Sequence, residues 1–98
     1  MTDYAQLAKD IVEATLLGGV DPDMRDDMRD ELMSEMYISP KGIMWYNYSA
    51  TGAIVRFWEH NGRGYANSLG IGSDGARHQF DRPLNALDCA AWAAEHMC

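Results

Sequence analysis

Tyr4, Leu7, Ala8, Ile11, Val12 and Thr15 recur at the spacing of one helical face, which predicts a first helix over roughly residues 3–17. Gly18 and Gly19 offer it a left-handed stop. Asp21 then stands as an N-cap with Pro22 at the first helical position, so a second helix is expected to about Tyr37, closed off by Pro40 and Gly42. From Gly42 the period changes to two. Ile43 to Tyr48 and Ala53 to Glu59 read as strands joined across Ser49, Ala50, Thr51 and Gly52. Asn61 and Gly62 favour the positive φ angles of a type I′ turn, which returns Tyr65 to Ile71 antiparallel to Ala53 to Glu59. Beyond Gly72, Ser73, Asp74 and Gly75, residues Ala76 to Phe80 can add a short fourth strand. Asp81 is expected to cap a last helix with Pro83 in its first turn and an apolar stripe of Leu84, Leu87, Ala91 and Ala94. The predicted class is α+β, a single domain over residues 1–98. Its acidic helical part is 1–37, and 42–98 holds an antiparallel three- or four-stranded meander with the C-terminal helix packed on it.

Ninety-eight residues, 47% of them hydrophobic and 10% aromatic, are enough for one domain with its own core and unlike a disordered acidic tail. No run of about 18 apolar residues occurs, and an N-terminus carrying Asp3 and Asp10 lacks the basic region of a signal or transit peptide, so a cytoplasmic protein is expected. Cys89 and Cys98 would lie roughly 13 Å apart along one helix, too far for a disulfide, and read as free thiols, Cys89 as a small buried hydrophobe.

Charge changes the picture more than composition does. Residues 1–36 hold ten carboxylates against Lys9, Arg25 and Arg29, while residues 37–98 hold five acids and five bases, so the net charge of −7 is confined to the first third. On a helical projection Met24, Met28, Leu32 and Met36 share one arc, and Asp23, Asp26, Asp27, Asp30 and Glu31 fill another. Like charges at i, i+4 oppose the helix, an effect that Asp21 with Arg25 and Asp26 with Arg29 partly offset. The acidic arc is either a solvated face whose first-turn acids complement the helix dipole or a surface for a basic partner. Met33 falls opposite the apolar arc, beside Arg29 and Asp26, and is a candidate contact residue, whereas the other methionines of this helix are expected in the core.

Catalytic and cofactor signatures fail on their context. Gly70, Ile71, Gly72, Ser73, Asp74 and Gly75 spell G-x-G-x-x-G, but no helix opens within the glycines and too little chain follows for a βαβ unit, so they read as turn residues. His60, His78 and His96 lack metal-ligand spacing, and the Asp21–Asp23 pair lacks the glycine of a calcium loop. Ser73 has only His78 as a conceivable base. No enzyme activity, metal or cofactor is therefore expected.

The strands offer a rival site. Met44, Tyr46 and Tyr48 share one face of the first strand, opposite Ile43 and Trp45, and Arg56, Trp58 and His60 alternate with Val55 and Phe57. One face can thus carry Tyr46, Tyr48, Arg56 and Trp58 with Arg63 and Tyr65 nearby, an interleaving of arginine and aromatic rings that can stack bases. Against this, a small domain needs its aromatics inside, and these are expected to supply the core.

The run from Ile43 onward, with the first helix added, resembles the topology of double-stranded RNA-binding domains. That family clamps phosphates with lysines at the start of its last helix. Here Arg82, Pro83, Leu84, Asn85, Ala86 and Leu87 include none, so the function does not carry over. In its acidic cluster from Asp21 to Glu35, its short meander with the Asn61–Gly62 turn and its lack of catalytic constellations, the chain is similar to the small acidic α+β inhibitors encoded by phages, anti-CRISPR proteins among them. That resemblance implies a viral protein in the host cytoplasm that binds a nucleic-acid-handling machine, its carboxylates occupying lysine and arginine sites meant for phosphate. The expected partner is a basic protein surface, met by a monomer or small homo-oligomer, with no membrane and no direct nucleic-acid contact. A nucleic-acid-binding module working through the sheet face is the alternative.

Overall fold

The computed structural model describes residues 2–46 and 52–96. Helix α1 (Tyr4–Leu17) is capped by the Asp3 carboxylate, which accepts the Gln6 N–H, and it buries Leu7, Ala8, Ile11, Val12 and Leu16. A 3₁₀ turn (Pro22–Met24) opens under the Asp21 cap and leads into α2 (Arg25–Ser34). Five strands follow in chain order, β1 (Met36–Ser39), β2 (Gly42–Tyr46), β3 (Ile54–His60), β4 (Arg63–Leu69) and β5 (Arg77–Gln79), and then α3 (Ala86–His96). Each strand pairs antiparallel with the next, giving one sheet in the order β1-β2-β3-β4-β5.

The architecture is the expected α+β, with three corrections. The second helix ends at Ser34, and Met36–Ser39 pairs with β2 through a hairpin at Pro40 and Lys41. Met36 and Ile38 pack against the core from alternate positions of a strand, and exposed Tyr37 lies between them. Met36 therefore leaves the proposed methionine arc, Met24 is 55% exposed, and α2 buries none of its residues. The last helix begins at Ala86, its Asp88 N–H capped by the Asn85 side chain instead of by Asp81. Before it, Phe80 N–H donates to Gly64 C=O and Gly64 N–H to Arg82 C=O, so the Pro83 region continues along the sheet. The face of α3 also differs. Cys89, Trp92 and Ala93 are buried, whereas Leu87 is 75% exposed and Ala91 and Ala94 are exposed with it.

The core forms between the helices and one face of the sheet, where α1 and α3 meet Ile43, Trp45, Val55, Phe57 and Ala66. Asn61 and Gly62 take φ of 53° and 77°, the two positive angles of the predicted tight turn. No helix among the described residues is long and apolar enough to cross a membrane.

Candidate functional site

On the helical side, α2 rests on α1 and β1. Asp21, Asp23, Asp26, Asp27, Asp30 and Glu31 are all exposed. The two cations of this stretch do little to neutralise that surface. Arg29 bridges to Glu13 of α1 and to Asp26 at 2.6 Å, which ties the helices together and lowers the Glu13 pKa through the hydrogen bond it donates. Arg25 is half-buried, its Nε without a hydrogen-bond partner, and makes no ion pair with a described residue, so the expected Asp21–Arg25 pair is not formed. Asp23, Asp27, Asp30 and Glu31 remain as a patch of one sign. Met33 is half-buried at its side.

Glu35, at the junction of α2 and β1, is an acid that sequence reasoning did not single out. Only 8% exposed, it accepts a hydrogen bond from Trp45 Nε1 at 3.2 Å, and burial raises its pKa. A raised folded-state pKa adds stability that is fully present below the unfolded-state value and is lost as pH rises through the folded one. Glu35→Gln keeps an acceptor for Trp45 without the charge, so the variant should gain on the wild type between acid and neutral pH. Thermal melts across that range test this. Parallel curves for the two proteins would rule it out.

The opposite sheet face carries no helix among the described residues. Strand alternation turns Arg56, Trp58 and His60 of β3, Tyr65 and Asn67 of β4, and Met44 and Tyr46 of β2 away from the core. The expectation that these aromatics fill the core is thereby corrected. The core is supplied from the other face by Trp45, Phe57 and Trp92, leaving Tyr46, Trp58 and Tyr65 half-buried at the surface and Arg56 and Arg63 exposed. Trp58 and Tyr65 are a cross-strand pair with rings 5.7 Å apart and 13° from parallel, and the Arg56 guanidinium lies 5.3 Å from the Trp58 ring centre. Tyr48 lies outside the described residues.

The remaining polar groups are tied into the fold. Glu59, beside a groove of about 600 Å³ near His60, accepts the Leu84 N–H at 2.7 Å and the Thr2 hydroxyl, while Tyr4 Oη accepts the Glu59 N–H. Ser73 bonds Ser68 at 2.7 Å, and His78 packs edge-on against Phe80, so the two are not drawn into a nucleophile–base pair. His96 instead meets Asp74 at 2.8 Å, and Asp74 is held below its ordinary pKa by the Ala76 N–H and then by His96. Gly70, Gly72 and Gly75 all have positive φ, as turn glycines do. Cys89 is a buried free thiol whose pKa burial pushes up to about 12, which removes it as a nucleophile; Cys98 lies outside the described residues. No cluster of three or more metal-ligating side chains occurs among the described residues. The chain matches no protein-family model, and no curated protein or solved structure matches it.

Proposed function

We propose that the protein is a non-enzymatic inhibitor or adaptor that places the acidic face of α2 on a basic surface of a partner protein, one whose own work is to hold nucleic-acid phosphate. One observation carries the reading: Asp23 of the 3₁₀ turn and Asp27, Asp30 and Glu31 of α2 are exposed together, on the side that does not carry Leu32 into the core, so packing does not explain these carboxylates. Met33 lies at the margin of the contact. The similarity in general character to phage-encoded inhibitors of the anti-CRISPR kind points the same way. Binding of this type is steered by charge and weakens with salt.

The test uses the wild type and a variant carrying Asp23→Lys, Asp27→Lys and Asp30→Lys as paired baits in a lysate of the cell in which the protein works. These side chains are exposed, so the variant should stay folded and lose the partner that the wild type retains. The retained protein is then identified and titrated. Inhibition should reach its endpoint at a fixed molar ratio. Salt-insensitive retention, full retention by the triple variant, or a partner left chemically modified by far substoichiometric amounts would each defeat the proposal.

A further inference from the structure

The sheet face turned away from the helices is built unlike the rest of the surface. Register aligns one row of side chains across all five strands, Tyr37, Met44, Arg56, Asn67 and Arg77. The adjacent row holds Trp58, Tyr65 and Gln79. Arg63, opposite His60, ends the face at the hairpin turn. No position in these rows is a carboxylate. Glu59, the acid of β3, belongs to the other face, where it accepts from Leu84 and Thr2. Nor is Arg56, Arg63 or Arg77 ion-paired with any described residue. A protein of net charge −7 thus presents a face on which the full charges of the described residues are positive.

Its shape is equally specific. Arg56 and Trp58 form a ridge with a depression on either side. One, of about 460 Å³, is bounded by Tyr65, Asn67, Arg77 and Gln79. The other, of about 170 Å³, is bounded by Tyr37, Lys41 and Met44. Arg56 and Arg77 stand two strand spacings apart, about 10 Å, with the Asn67 side-chain oxygen between them lacking a hydrogen-bond partner.

We infer that this face binds single-stranded nucleic acid, its bases packing on the accessible parts of the stacked Trp58–Tyr65 pair and its phosphates met by Arg56, Arg77 and Arg63. Both halves of the chemistry are required. Electron-rich rings left half-exposed select a ligand with a π-face, and guanidinium groups without an ion pair among the described residues select an anion. An acidic peptide offers the charge without the rings. A duplex offers the charge but keeps its base faces inside the stack, out of reach of a flat sheet. The expectation of no nucleic-acid contact rested on net charge, and that charge is carried by the helical side. The inference is independent of the acidic-face reading, since it uses none of the same residues.

The experiment measures binding of fluorescein-labelled oligo-dT and oligo-U of about twelve nucleotides, with a duplex of the same length and polyglutamate as competitors. Both single strands should bind, with duplex and polyglutamate competing at least about tenfold more weakly. Three arginine–phosphate contacts predict that raising salt from about 50 to 200 mM weakens binding roughly ten- to twentyfold. Trp58→Ala should lose about tenfold or more, and Trp58→Phe should recover part of that loss. Arg56→Ala combined with Arg77→Ala removes exposed side chains only, so it stays folded, binds more weakly and flattens the salt dependence. Circular dichroism and thermal melts qualify each variant. If Trp58→Ala does not fold, the arginine pair alone decides. Wild-type binding by that pair, equal competition by polyglutamate or duplex, or no binding of either strand at about 50 mM salt and 100 μM protein would overturn the inference.

Discussion

Gly42→Ala is expected to cost on the order of 4 kcal/mol or more, enough to leave much of the protein unfolded. Gly42 opens β2 with φ of +145°, a region that side-chain-bearing residues rarely enter. A Cβ there would collide with the carbonyl oxygen of Phe57 and fall 3.0 Å from Cβ of Trp58. Backbone cannot yield as a flexible side chain does, so relief requires β2 and β3 to separate at the centre of the sheet. Denaturant unfolding followed by far-ultraviolet circular dichroism measures the loss. A midpoint within a few tenths molar of the wild type would mean that the β1–β2 turn relaxes without disturbing β3.

Trp92→Ala should be nearly as damaging, at about 3–5 kcal/mol. Trp92 is 8% exposed and packs edge-to-face on Phe57 with ring centres 6.2 Å apart, while the His96 ring lies 4.0 Å away on its own helix. It joins α3 to β3, so removing it opens a cavity between layers that cannot close without moving a helix. In a domain of this size the thermal midpoint should drop by roughly 15 °C or more. A drop of one or two degrees would show that α3 is held by its other contacts, chiefly along α1.

How much of this was legible in the sequence differs from element to element. Helix α1 was, because Leu7, Ala8, Ile11 and Val12 form a stripe with no competing reading, although Gly18 ends it at φ of −79°, right-handed and not the left-handed stop expected of it. The β3–β4 hairpin was also legible, since Asn61–Gly62 suits one turn type. The β1 strand was not. Met24, Met28, Leu32 and Met36 keep helical spacing through Met36, and the switch to pairing depends on β2, which no local pattern reveals. In α3 two stripes satisfy the period, Leu87–Ala91–Ala94 and Cys89–Trp92–Ala93. Only the tertiary fit of the large indole chooses between them.

The candidate surfaces follow the same logic. Exposure of Asp23, Asp27 and Asp30 could be read from composition, because uncompensated carboxylates are almost never buried. The two faces of β2 and β3 could be separated by alternation, yet both are apolar enough to be the inner one. Which face the helices cover is decided by the whole chain. Small residues inside β4, Gly64, Ala66 and Ser68, let that side be approached closely and were the available clue.

The meander also bears on how the chain acquires its structure. Every strand pairs with its immediate neighbour in sequence, so each ladder can grow from a local hairpin, and closing a short loop costs little chain entropy. The distant parts of the chain meet where the helices dock, α1 against α3, β1 and β2, and α3 against β3. The sheet can therefore assemble in small, rapid steps, while the slow event is the search that brings the first helix and the last one together over its inner face. Until that search ends, Val55, Phe57 and Ile43 stand uncovered, and the interval between hairpin formation and helix docking is when the protein is most open to aggregation.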